Sequence, residues 1–128
     1  MSNQQLQSTI DAACAKLLET AAMMGVQLTY EISSVPLLEE IADALRKMAK
    51  GDAAALSGGS FLIGAFLGEV IRRQLHGVWG RDENGDELSV TNGEFSCYPI
   101  ERVRKYMARA KSNSLVFFAQ VSSAGHAE

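Results

Sequence analysis

The sequence predicts an α+β fold: N-terminal helices, a central glycine-containing helix, a three-stranded antiparallel meander and C-terminal helices. Three observations carry that prediction. Apolar residues recur at intervals of three and four through the first half of the chain, the period turns strand-like after Gly77 around two Asn-Gly pairs, and helical spacing returns after Pro99. With 128 residues and 47% apolar content there is room for one core, so residues 1–128 are expected to form a single domain with frayed ends at about 1–3 and 123–128.

From about Gln4 to Met24, the positions Leu6, Ile10, Cys14, Leu17, Leu18 and Ala21 trace one buried stripe, and Gly25 stops this first helix. Val26 to Ser34 alternates in a β-like way without an evident pairing partner and reads as an irregular connector. A second helix follows to about Ala49. Ser33 and Ser34 can cap it, Pro36 suits its first turn, and Leu37, Leu38, Ile41, Leu45 and Met48 face inward. Glu39 and Glu40 near its start and Arg46, Lys47 and Lys50 near its end match the helix dipole and read as a solvated face. Gly51 closes the helix, and Asp52 to Ser60 reads as a bridge with a short helical turn at Ala53 to Leu56.

The chain is organised around Ser57 to Trp79, SGGSFLIGAFLGEVIRRQLHGVW. Projected at about 100° per residue, its helix has a broad apolar face of Ile63, Leu67, Val70 and Ile71 and a polar arc of Glu69, Arg72, Arg73 and His76. Between them Ser60, Gly64 and Gly68 form a strip without bulk. A glycine inside a helix costs about 1 kcal/mol relative to alanine, so two of them one turn apart predict a neighbour in very close contact, most simply another helix.

Three strands are expected next, Val78 to Asp82, Glu87 to Thr91 and Glu94 to Tyr98, separated by Asn84-Gly85 and Asn92-Gly93. Leu88, Val90, Phe95 and Cys97 fall on the faces that cover the helices. Pro99 ends the sheet and Ile100 to Lys111 forms a further helix, with Ile100, Val103, Met107 and Ala110 inside and Arg102, Lys105 and Arg109 outside. Ser112 to Ser114 breaks or caps it. The segment Ser114 to Val121 suits a strand by its aromatic and β-branched content and a short helix by its Ser-Asn-Ser start; the helix is taken.

A net charge of −3 gives no global reason to expect nucleic acid as a partner. Cys14 and Cys97 stand far apart without a CxxC and read as reduced core residues of a cytoplasmic protein. The N-terminal residues lack the features of a signal peptide, and the longest apolar run, Phe61 to Gly68, is far short of the ~20 residues of a membrane span. No membrane partner is expected.

Candidate chemistry is sparse. Glu69 reads either as an acid or base in a cleft beside the sheet or as the partner of Arg72 and Arg73, at i+3 and i+4; the ion pair is the simpler reading. Ser57-Gly58-Gly59-Ser60 at a helix entry can offer N–H groups to an anion, but it lacks the Lys-Ser/Thr of a P-loop. Asp82, Asn84, Asp86 and Glu87 are oxygen donors in one loop, yet the EF-hand register fails, because its glycine and glutamate positions fall on Glu87 and Gly93. His76 and Cys97 leave no third member for a triad, His126 lying in the tail, and two cysteines with one usable histidine make no closed zinc site. The basic residues Arg102, Arg104, Lys105, Arg109 and Lys111 read as an intramolecular charge complement or the basic half of a protein interface. No catalytic residue, cofactor or metal is assigned. The candidates for a pocket or interface are Glu69, Arg72, Arg73, Trp79, Asp82, Asp86 and Glu87.

The segments FLGEVIRR (Phe66 to Arg73), GVW (Gly77 to Trp79) and YPIERVRK (Tyr98 to Lys105) resemble a family of small uncharacterised bacterial α+β domains. Its pattern is a Leu-Gly-Glu helix, a Gly-x-Trp strand, a hairpin and a helix opened by proline. The likeness spans Gly64 to about Met107. It implies no activity, but related small α+β proteins act as immunity or accessory proteins in bacterial competition. The leading expectation is therefore a cytoplasmic protein-interaction module, immunity-like in binding and blocking a partner. The alternative is a small-molecule-binding protein or enzyme with a pocket between the central helix and the sheet, lined by Glu69, Arg73 and Trp79.

Overall fold

In the computed structural model, which describes residues 3–81, 87–108 and 114–126, the chain runs α1 (Asn3–Met23), a 3-10 turn (Ile32–Ser34), α2 (Val35–Ala49) and α3 (Ala53–Leu75). It continues through β1 (Val78–Arg81), β2 (Leu88–Asn92) and β3 (Phe95–Cys97) to α4 (Pro99–Ala108) and α5 (Leu115–Ser123). This is the α+β architecture read from the sequence. The ambiguous segment after Ser114 is helical, with the Ser114 hydroxyl accepting the Phe117 N–H at 3.2 Å.

Helix α3 packs against α1, α2, α4 and α5 and against β2, and every residue from Ile63 to Ile71 is buried. The expected bridge at Asp52 to Ser60 is instead its first two turns. Asp52 caps them by accepting the Ala54 N–H at 3.2 Å, and Ala53 to Leu56 are strong helix formers. Gly58 and Gly59 do not interrupt the helix: at Gly59 tertiary packing offsets the weak propensity, a Cβ there already standing 3.3 Å from Leu45 Cδ1, while Gly58 is exposed. Being unbroken, α3 is long and apolar enough to cross a membrane by length and composition, a property that a search for continuous apolar runs misses; more than half of its apolar window is buried inside the fold, as in the core helix of a soluble protein.

The glycine strip has the close neighbours it predicted. A Cβ at Gly64 would meet Ile100 Cα at 2.5 Å, so the backbone of α4 lies directly on it, and at Gly68 a Cβ would run into the Trp79 indole and Pro99. One neighbour is thus a helix and the other a strand side chain. Trp79, Val90 and Cys97 form one cross-strand row on the inner face of the sheet, whose order is β1-β2-β3. Val78, Thr91 and Ser96 form the outer row, where the Thr91 and Ser96 hydroxyls are 2.9 Å apart.

Three details differ from expectation. Met48 is 72% exposed: it projects within about 20° of the buried Ile41 but lies two turns further on, in the last turn of α2, beyond the buried residues Val35, Leu38, Ile41 and Ala42. The second turn is centred on Gly93-Glu94, with Gly93 at φ +61° and Asn92 paired to Phe95. Positive φ at the first central residue alone is the II′ arrangement, which frees Asn92 to donate its side-chain N–H to the Leu75 carbonyl at the end of α3. Glu39, expected in solvent, turns to the start of α5 and accepts the Leu115 and Val116 N–H groups at 2.7 and 3.2 Å. The Asn84-Gly85 turn, the Arg109 to Lys111 end of the expected α4 and the last two residues lie outside the described residues.

Candidate functional site

Glu69 follows Gly68 on α3 and is 1% exposed, so the arc that looked solvated on a helical projection is covered at this position. The cover comes from α1 and β1. Glu69 Oε2 accepts from Arg72 Nε at 2.7 Å, Trp79 Nε1 at 2.8 Å and Gln7 Nε2 at 3.1 Å. Oε1 accepts from Arg72 Nη2 at 3.0 Å and Arg73 Nε at 3.4 Å. A carboxylate offers about four lone-pair sites, and these five donors fill it. The sequence-level ion pair with both arginines is present, as two arms of a larger node that ties three elements together.

Beside it, the Arg73 guanidinium lies 3.7 Å from the centre of the Tyr30 ring, which stacks on Phe66 with centroids 4.6 Å apart. Burial alone would raise the Glu69 pKa, but hydrogen bonds from Arg72, Gln7 and Trp79 outweigh it and hold the group at about 2. Such a carboxylate has no proton to give near neutral pH and little basicity with which to take one. Cys14, buried behind the node, is pushed up to about 12, first by burial and then by the charge of Glu69; a thiol so placed is inert. Glu69 and Trp79 fill the space between α3 and the sheet against each other, where the sequence reading set a pocket.

Of the sequence candidates, then, Glu69, Arg72, Arg73 and Trp79 come together in one node, in which Glu69 and Trp79 are buried and the two arginines reach toward solvent. Glu87 lies elsewhere, and Asp82 and Asp86 fall outside the described residues. Ser57 to Ser60 is helix interior, where N–H groups are bonded along the helix and not offered to an anion. Cys97 faces inward and engages Ser122, whereas His76 is exposed at the left-handed end of α3. Among the described residues no group of His, Cys, Asp or Glu is placed to hold a metal ion.

A cleft of about 470 Å³ opens between β3, α4 and α5. Phe95, Ser96, Cys97 and Tyr98 supply one side, Glu101, Arg102 and Lys105 of α4 another, and Phe118 and Ser122 of α5 a third, with Glu87 and His126 completing it. The Arg102 guanidinium stands 4.9 Å from the centre of the Phe118 ring, and burial lowers its pKa. Both acids of the cleft go to Arg104, whose Nη1 lies 3.3 Å from Glu87 and 3.4 Å from Glu101. Part of the basic cluster thus neutralises the hairpin, as the charge-complement reading expects, while Arg102 and Lys105 line the opening. Sequence reasoning named Glu87, Arg102 and Lys105 as interface candidates but missed the aromatic residues and the cleft they line together. Its one local signal is the stripe Tyr98, Arg102 and Lys105, at helical spacing beside the buried stripe of α4.

Comparison of the chain with protein-family models, with curated proteins and with solved structures finds no match to any of them.

Proposed function

We propose that this protein is a non-covalent protein-binding module whose recognition surface is the β3–α4–α5 cleft. The observation that carries the reading is the contrast in charge and exposure: the carboxylate Glu69 is buried and saturated, while an open cleft offers three aromatic rings beside Arg102 and Lys105. On α5, Phe117 is 52% exposed one residue before the cleft residue Phe118, and Tyr98 is 37% exposed. Large apolar groups left in solvent beside cations are characteristic of contact surfaces. The resemblance at the Leu-Gly-Glu helix and Gly-x-Trp strand supports an immunity-like, partner-blocking role in the bacterial cytoplasm, and two free, buried cysteines accord with a reducing compartment.

A second reading rests on the cleft volume, which falls within the ~300–1,000 Å³ of small-molecule sites. One experiment separates the two. The full chain, bearing an affinity tag, is used for capture from a lysate of its source organism, beside Lys105→Glu and Phe118→Ala variants. The protein-binding reading expects a stoichiometric partner held by the wild type and lost with Lys105→Glu. No protein partner, together with thermal stabilisation by a metabolite fraction that Phe118→Ala abolishes, would establish the small-molecule reading instead.

A further inference from the structure

We propose that the cleft takes an extended acidic segment of the partner protein, which adds a strand to the open edge of β3. This rests on the protein-binding reading and gives the chemistry of its partner. β3 is an outer strand with β2 as its one neighbour. Because Gly93 and Glu94 form a two-residue loop, Asn92 and Phe95 close the ladder as a hydrogen-bonded pair, and Val90 and Cys97 are the next such pair. The main-chain groups of Phe95 and Cys97 are therefore engaged by β2. Those of Ser96 point the other way, along the cleft that Ser96 lines.

A strand laid on that edge turns every second side chain toward α4 and α5, where it meets Phe118, Arg102 and Lys105. The carboxylates already there, Glu87 and Glu101, are both held by Arg104, and Lys105 pairs with no acid among the described residues. Among the described residues of this region, Arg102, Arg104 and Lys105 stand beside two carboxylates, Glu87 and Glu101. An incoming carboxylate is thus attracted and an incoming lysine repelled, whereas the aromatic floor favours an apolar side chain between two acidic ones. β3 is only three residues long, so main-chain pairing sets direction and these side-chain contacts supply selectivity.

The test uses the full chain and a fluorescein-labelled heptapeptide, Thr-Glu-Thr-Phe-Thr-Glu-Thr, which presents Glu, Phe and Glu on one face of a strand. Fluorescence anisotropy is expected to show saturable binding that weakens by about tenfold or more when both glutamates become lysine, and equally with Lys105→Glu protein. Two further peptides are N-methylated, one at the threonines and the other at the Glu and Phe positions. Only one of these two should lose binding, since one edge of a strand does the pairing. The amide resonances of Ser96 and Lys105 should shift on titration. Equal binding of acidic and basic peptides, equal loss from both methylated peptides, tighter binding of oligothymidylate, or no peptide binding would each overturn the proposal. If the lysate experiment yields a Lys105-dependent protein partner while the peptides fail, the occupant is wrong and the protein-binding reading stands; if both fail, both fall.

Discussion

Two regions of this protein hold the same inventory, arginines and carboxylates beside aromatic rings, and differ in how fully those groups answer one another. At Glu69 every lone pair has a donor, and the carboxylate is 1% exposed. In the β3–α4–α5 cleft Lys105 meets, among the described residues, a pair of acids already held by an arginine outside the cleft, and the Tyr98 ring stays open to solvent. Residue type alone does not separate a structural node from a recognition surface. Saturation does: a filled node stabilises the fold it sits in, and an incompletely answered one still has free energy to gain from a partner.

Substitution tests this division most severely at the node. Glu69→Ala leaves the Trp79 indole N–H and the Arg72 guanidinium without their carboxylate acceptor, while Gln7 keeps its bond to Asp11, and is expected to cost about 4 kcal/mol in urea unfolding. A loss below 1 kcal/mol would show that the node is dispensable and break the comparison.

Next in size is a pH effect. The folded carboxylate has a pKa of about 2 against an ordinary 4.5, so as acid is added the unfolded chain takes up the proton first. The stabilisation is therefore complete above about pH 4.5 and is lost as the pH falls toward 2, on the order of 3 kcal/mol in all. Chemical denaturation across that range should show the slope in the wild type and its disappearance in Glu69→Gln.

Glu39 gives a smaller effect. Its carboxylate accepts the first free N–H groups of α5, so Glu39→Ala should cost about 1 kcal/mol and loosen α5, read as faster amide exchange at Leu115 and Val116. The smallest change in stability belongs to the cleft: Lys105→Glu should lie within about 0.5 kcal/mol of wild type while abolishing partner capture. A larger loss would make Lys105 structural and erase the distinction between the regions.

Most of the fold was legible in the sequence, because it depends on periods that side chains impose locally. The glycine strip foretold close packing, and Asn92-Gly93 foretold a hairpin. What escaped depends on contacts distant in sequence. The helical projection set Glu69 on a polar arc, paired with its own helix's arginines, because it cannot show that Gln7 of α1 and Trp79 of β1 close over it. Glu39 looked like part of a dipole pattern since its partners lie some 76 positions along the chain. The bridge expected at Asp52 to Ser60 is helix because the Leu45 and Met107 side chains, distant in sequence, pack over Gly59. The cleft assembles from three elements, none of which carries it alone.

The unbroken course of α3 gives one helix two timescales. Its first turns, with Ala53 to Ala55 and then Ser57 and Gly58 exposed, contain two adjacent glycines and little apolar cover, so their hydrogen bonds open by local fraying. From Ile63 to Ile71 every residue is buried, and those amides reach solvent only when the whole core comes apart. In deuterated water the early amides should exchange fast while the later ones persist until global unfolding, so that a single ladder of hydrogen bonds keeps two clocks.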